Sequence, residues 1–408
     1  MRVPVQPGPR KPCPEPHRVP VWTCGVLGSA CRLVRRTSGL VLVGAWVLMK
    51  LSGAAPVVEP DARGGFHYRH DVIPEAPWSV HILRLDRRRR DLVLTTSLGN
   101  GHRIGKATVS DQVRLLPDSV GRPVAAINGD FYFEAEDLSG DPRDLLIRDG
   151  ELVSAPAGHA CFWVDGRGHP HQTNVHSRLR VILPGRRGLV VGLNELGSDD
   201  VAVLYTAAVG PQTPPTPGIQ YVLERGRGDW LPLRVGRRLD ARVREIRSGG
   251  RHPLGRNDVV LSLGDRLGQN LVVGDRVELV PQTVPDLSGI QTALGGGPTL
   301  VRDGKAMRWS GFQRRHPRSA VGWNDRWMYL VEVDGRQGGL SVGMTFPELA
   351  AYLVRLGCRE AVNLDGGGSS TLWVLGRVVN SPSDGVERPV ANGLVVIQKT
   401  PLTDRKHR

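Results

Sequence analysis

Residues 361–374 read Ala-Val-Asn-Leu-Asp-Gly-Gly-Gly-Ser-Ser-Thr-Leu-Trp-Val. A β-type run through Ala361, Val362 and Leu364 stops at Asp365, passes three glycines and three hydroxyl residues, and resumes at Leu372. Side chains alternate along a strand, so Asn363 and Asp365 leave the same face where the strand meets the loop. Gly366, Gly367 and Gly368 let the backbone take positive φ and come close to a ligand. Their bare N–H groups, with the hydroxyls of Ser369, Ser370 and Thr371, make a concavity suited to an anion. On this reading a carboxylate sits beside a nest of phosphate size. The plainer reading is a tight strand–loop–strand turn in which Asp serves turn chemistry. No Lys follows the glycines, which excludes a Walker loop.

Upstream of this stretch the pattern is helical. Thr345 and Glu348 stand at capping-box spacing, the apolar face runs through Leu349, Ala350, Leu353, Val354 and Leu356, and Gly357 gives the stop, so a helix is predicted over 346–356. Thr108 and Asp111 predict a second, short helix over 108–116, ended by Pro117. Elsewhere short β-like runs dominate. Residues 79–85 and 92–97 read as a hairpin whose solvated turn holds the four arginines 87–90; 124–127 is a buried strand; 181–284 is a β-rich middle section. Residues 211–218 (PQTPPTPG) read as a surface loop and not a linker, because strand-like sequence resumes at once. The expected class is α+β, mainly antiparallel β-sheets with a few helices, in a single domain over residues 61–400.

The chain has 408 residues, enough for one large core or two smaller ones. Its net charge is +14, yet 48 of the 54 basic residues are Arg, a skew that points to coding bias more than to a nucleic-acid surface. No zinc knuckle, RNA-recognition signature or helix–turn–helix pattern accompanies it, so no nucleic-acid partner is expected. Residues 1–55 have the parts of an export signal. Arg32, Arg35 and Arg36 are basic, 40–49 (LVLVGAWVLM) is apolar but too short to span a bilayer comfortably, and 52–55 offers small residues for cleavage. The expected location is periplasmic, cell-envelope or extracellular, with membrane contact only through an uncleaved leader. Past this leader only Cys161 and Cys358 remain, as one disulfide or as two buried thiols.

Further segments repeat the grammar of a β run ending in polar residues beside glycine. They are Asn128-Gly129-Asp130-Phe131-Tyr132, Gly295-Gly296-Gly297-Pro298-Thr299-Leu300, His316-Pro317-Arg318-Ser319-Ala320-Val321-Gly322, Val333-Asp334-Gly335-Arg336 and Arg388-Pro389-Val390-Ala391-Asn392-Gly393. In this order, with the capped helix and the NLDGGGSST stretch, they resemble the phosphodiester glycosidase family over roughly residues 66–398. The resemblance implies hydrolysis of the sugar C1–O bond in a sugar-1-phosphodiester, releasing sugar and a phosphomonoester, with envelope or extracellular glycopolymers as a substrate class.

Such a reaction needs a carboxylate against an oxocarbenium-like centre and cationic donors on the departing phosphate. Asp365, Asp130 and Asp334 are the candidate carboxylates, with Asp365 first. Arg318, Arg336 and Arg388 are candidate phosphate clamps, since guanidinium binds two oxygens at once. Asn128, Asn363 and Asn392 suit sugar hydroxyls or carboxylate orientation, and His316 could supply a proton. The same aspartates and asparagines are hard oxygen ligands, so Ca²⁺ or Mg²⁺ with metal-assisted P–O cleavage is a second reading. A non-catalytic, glycopolymer-binding envelope protein is a third. The plain alternative for the whole set is an Asp–Arg–Asn network that only ties loops together.

Overall fold

The computed structural model describes residues 65–268 and 270–399, all within the compact unit Pro56–Arg408. The leader features lie outside the described residues. The fold is mostly antiparallel β-sheet with few helices, as expected from the short alternating runs.

Two sheets build the frame of the candidate site. In the seven-stranded one, the central strands are Trp78–Asp86, Trp327–Val333, Arg318–Trp323 and Glu360–Asn363. In the five-stranded one, Leu372–Val374, Arg122–Asn128, Asn392–Gln398 and Leu92–Leu98 lie side by side. Leu83, Val321, Leu330 and Val362 of the first pack against Leu98, Ile127, Leu372 and Leu394 of the second in one core. Each of the latter strands is buried on both faces, which explains their near-continuous apolar runs.

A helix covers the outer face of each sheet. Phe346–Arg355 buries Leu349, Ala350 and Leu353 against Val80, Ile82 and Val331. Val109–Arg114 buries Val109 and Val113 against Ala126, Val395 and Ile397. Both predicted helix starts are present. Thr108 accepts from the Asp111 N–H, and Thr345 and Glu348 form the reciprocal capping box. Thr345→Ala is expected to lower stability by about 1 kcal/mol, read from denaturant unfolding.

The β-rich middle is an eight-stranded sheet running from Arg180–Ile182 to Arg276–Val280, and it shares a core with a six-stranded sheet through Leu145, Trp163, Leu204 and Leu261. Two expectations need correcting. The runs at 79–85 and 92–97 do not form a hairpin: Trp78–Asp86 pairs with Phe66–Ile73 and Trp327–Val333, whereas Leu92–Leu98 pairs with Asn392–Gln398. The arginine turn therefore crosses between sheets, and Arg88 and Arg89 are ion-paired with Asp86 and Asp91 at 2.7 and 2.6 Å. Residues 211–218 are a loop, but not wholly at the surface, because Thr213 and Thr216 are buried on Gln220 at 3.2 and 2.9 Å. Of the two alternatives for Cys161 and Cys358, the structure has the two free, buried thiols. Cys161 leans on Asp144, and Cys358 fills the space beside Gly322.

Candidate functional site

Residues 364–371 carry the chain from the seven-stranded sheet to the five-stranded one, and Asn128 fastens the crossing. Its Oδ1 accepts from the Ser319 hydroxyl (2.6 Å) and the Thr371 N–H (3.1 Å), while its Nδ2 donates to the Asp365 carbonyl (2.8 Å). The Asp365 N–H in turn donates to the Gly129 carbonyl at 2.9 Å. Asn128 is fully buried and spent on these bonds, so it positions Asp365 and does not face a sugar.

Asp365 as a residue is half-buried, and its Oδ1 accepts the Gly366 N–H at 2.8 Å. Burial raises its pKa above the ordinary aspartate range, against the opposing pull of Ser369, the Gly366 N–H, Arg388 and Arg143. Gly366 faces the Pro317 carbonyl, 2.8 Å from where its Cβ would stand, and guanidinium groups lie over the next two glycines. Gly367 has φ +65°, and a Cβ there would lie 2.9 Å from Arg336 Nη2; one on Gly368 would lie 2.0 Å from Arg388 Nη2. Two guanidinium groups thus press on the loop. Arg388 is paired with Asp384 at 2.7 Å, whereas Arg336 has the His316 ring as its hydrogen-bond partner among the described residues, Nη2 to Nδ1 at 3.1 Å.

Arg318 is 8% exposed, stacks on Phe346 at 4.0 Å and donates to the Met344 and Arg314 carbonyls at 2.9 and 3.1 Å. Burial and the neighbouring Arg336 pull its pKa down to about 10. Burial and the Arg336, Arg318 and Arg314 charges likewise lower that of His316. The site therefore carries an excess of positive charge.

The expected nest of free amides is not what the loop offers. Gly366 and Gly367 donate to the Asp365 carboxylate and the Pro317 carbonyl, and Ser369, Ser370 and Thr371 donate to Gly366, Gly367 and Asn128. A turn this tight closes on itself. The hydroxyls of Ser369, Ser370 and Thr371 are buried without a hydrogen bond, as are Asn363 Oδ1 and Asn392 Nδ2. Asn363 Nδ2 bonds the Gly297 and Leu364 carbonyls, and Asn392 Oδ1 accepts the Asp130 N–H at 2.8 Å.

Asp130 is fully enclosed, with Oδ1 on the Phe131 N–H and Oδ2 on the Asp144 N–H, both at 2.8 Å. Burial and the Asp144 charge put its pKa well above the ordinary range. It braces Asn392 and the strand end and does not open onto the loop. Asp334 lies in a different cluster. Its Oδ2 accepts from Ser79 (2.7 Å) and contacts His81 Nε2 (2.9 Å), and its Oδ1 accepts the Ser381 N–H (2.7 Å). The three aspartates thus do not converge on one hard-oxygen metal cage.

Three neighbours were not singled out from sequence. Arg143 stacks on Phe131 at 4.1 Å, donates to the Gly296 carbonyl at 3.0 Å and stands 3.9 Å from Asp130. Tyr132 is held with a raised pKa by burial and the Asp365 charge, and its hydroxyl donates to the Pro389 carbonyl. His159, half-exposed, is oriented by the buried Asp144, Nδ1 to Oδ2 at 2.7 Å. Tyr132 follows the quoted Asn128–Asp130 motif and was within reach; nothing local marks Arg143 or His159.

A model of the phosphodiester glycosidase family matches residues 245–397, the part that holds Arg318, Arg336, Asp365, Arg388 and Asn392. Over this segment the chain is similar to the phosphodiester glycosidase family. Among curated relatives, the chain is 34% identical over 124 residues to the uncharacterized SPbeta prophage-derived protein YomE of Bacillus subtilis (strain 168). That match covers 29% of this chain and only 19% of the relative. Two solved structures share the fold. A hypothetical protein from Synechocystis has a TM-score of 0.65 at 20% identity, covering 81% of this chain and 61% of that one. A Burkholderia pseudomallei K96243 protein, provisionally named as exported, has a TM-score of 0.62 at 24% identity, covering 78% and 74%.

Proposed function

We propose that the protein is an exported hydrolase that cleaves the sugar C1–O bond of sugar-1-phosphodiesters, including those of envelope or extracellular glycopolymers. The observation that carries this reading is the half-buried Asp365 beside a loop pressed by Arg336 and Arg388. A phosphodiester oxygen is already a good leaving group, so the weight falls on two tasks. Asp365 acts toward C1, as nucleophile or as base to water. Arg336 and Arg388, with Arg318 behind them, hold the phosphate and take up its charge as it leaves. Tyr132 and the orphan hydroxyl of Ser369 border Asp365 and suit sugar hydroxyls.

The decisive experiment offers the mature domain a panel of sugar-1-phosphodiesters in isotope-labelled water. Release of reducing sugar carrying the label supports the proposal. Label in the phosphomonoester instead means P–O cleavage, and binding without either product means a glycopolymer-binding protein. Arg388→Gln is expected to lower kcat/KM by roughly 10²-fold, with kcat affected, because the lost charge serves the departing phosphate. Export rests on the basic, apolar and small residues of 32–55; among the described residues no helix is long and apolar enough to cross a membrane. N-terminal sequencing of the native protein tests it, with a start near residue 55 expected.

A further inference from the structure

One cross-strand row of the seven-stranded sheet reads His70, His81, Glu332, Ser319, paired residue to residue. Glu332 shares its face with Leu330, and His81 with Leu83, whereas Val331 and Val333 point the other way, so the row lies on the face turned to the core shared with the five-stranded sheet. Within it Glu332 is 0% exposed, Asp334 1% and His81 4%. Asn380 is near, yet neither Glu332 carboxylate oxygen has a hydrogen bond. Two carboxylates are thus buried together, and one has only the nearby Asn380 side chain to offset its burial. Leaving such a group without compensation is strongly unfavourable.

We propose that His81, Glu332 and Asp334 bind a divalent first-row transition cation of the Zn²⁺ or Mn²⁺ type. One ligand atom from each lies within 4.8 Å of the others, a spread that a single ion can bridge. A dication cancels the two carboxylate charges with neutral histidine as third ligand, so no net charge stays buried. It also takes the free lone pairs of Glu332.

The surroundings suit that role. Tyr68 Oη stands 2.8 Å from His81 Nδ1 and can accept from it, the tautomer that leaves the Nε2 lone pair for an ion. Ser79 and the Ser381 N–H steady Asp334 from its other sides. A set of one nitrogen and two carboxylates fits Zn²⁺ or Mn²⁺; Ca²⁺ prefers six to eight oxygens. The ion would pin the end of the strand Trp327–Val333, which leads through Gly335 to Arg336. The inference does not depend on the proposed reaction.

The test uses the full chain purified without chelator, and none of its readouts is turnover. Elemental analysis is expected to find about one Zn²⁺ or Mn²⁺ per chain, the stoichiometry of a three-ligand site. After chelator treatment, added Zn²⁺ should raise Tm and Ca²⁺ should not. Co²⁺ should give a visible spectrum of low-symmetry coordination. Glu332→Gln should weaken Zn²⁺ affinity by at least about 100-fold, yet melt no lower than the unsubstituted protein in chelator, because the amide buries no charge. Equal Zn²⁺ binding by both proteins overturns the proposal. Should Glu332→Gln not fold, the unsubstituted protein decides: no bound metal, no Co²⁺ spectrum and no Tm response to Zn²⁺ overturn it equally.

Discussion

Asp365→Asn is expected to abolish nearly all hydrolysis of a sugar-1-phosphodiester while leaving the melting temperature almost unchanged. The loss in kcat should reach about 10⁴-fold, the upper end for a group acting directly on the reacting centre. Folding should survive because the bonds that fix this residue run through its backbone, N–H to Gly129 and carbonyl from Asn128. The amide oxygen of Asn can still accept the Gly366 N–H. Measuring Tm beside kcat and KM separates this from a merely structural role, which predicts a lower Tm with normal turnover in whatever stays folded. A folded variant with unsubstituted kcat would falsify the assignment.

The raised pKa of Asp365, due first to burial, adds a pH signature. The ionised form is the active one, so the acid limb of kcat/KM should lie above the ordinary aspartate range. The sign for stability is opposite. A folded-state pKa above the unfolded value means that the native state binds this proton more tightly. Its contribution to stability is therefore largest at low pH and is lost as pH rises through the raised value. Activity falling on acidification, with no fall in stability from this group, is the expected pairing.

Asn128→Leu is expected to cost about 4 kcal/mol, since three buried partners lose their bonds at about 1–3 kcal/mol each without full additivity. The stranded groups are the Ser319 hydroxyl, the Thr371 N–H and the Asp365 carbonyl. Leucine keeps the branching at Cγ, though it is larger, and offers none of them a partner. Urea unfolding should show a lower midpoint with an unchanged m-value. A loss below about 1 kcal/mol would mean that water or backbone shifts replace the bonds.

What could be read from sequence divides by range. The capping box of Thr345 and Glu348 was legible because its two bonds span three residues. Asp365 at a strand end before three glycines was legible for the same reason. The partners of residues 79–85 were not, since alternation specifies a face and not a neighbour. Amide occupancy in residues 366–371 also escaped: Pro317 and Asn128, which receive two of those N–H groups, come from distant segments. His81 and Asp334 are 253 positions apart, so no spacing rule could join them.

The crossing at residues 364–371 gives the site a mechanical property. Arg336 follows a strand of the seven-stranded sheet, and Arg388 precedes a strand of the five-stranded one. An anion gripped by both guanidinium groups is then a clasp between the two halves of the sandwich, added to the covalent loop. Occupancy should slow amide hydrogen exchange in Trp327–Val333 and Asn392–Gln398 together, although the ligand touches neither strand's interior.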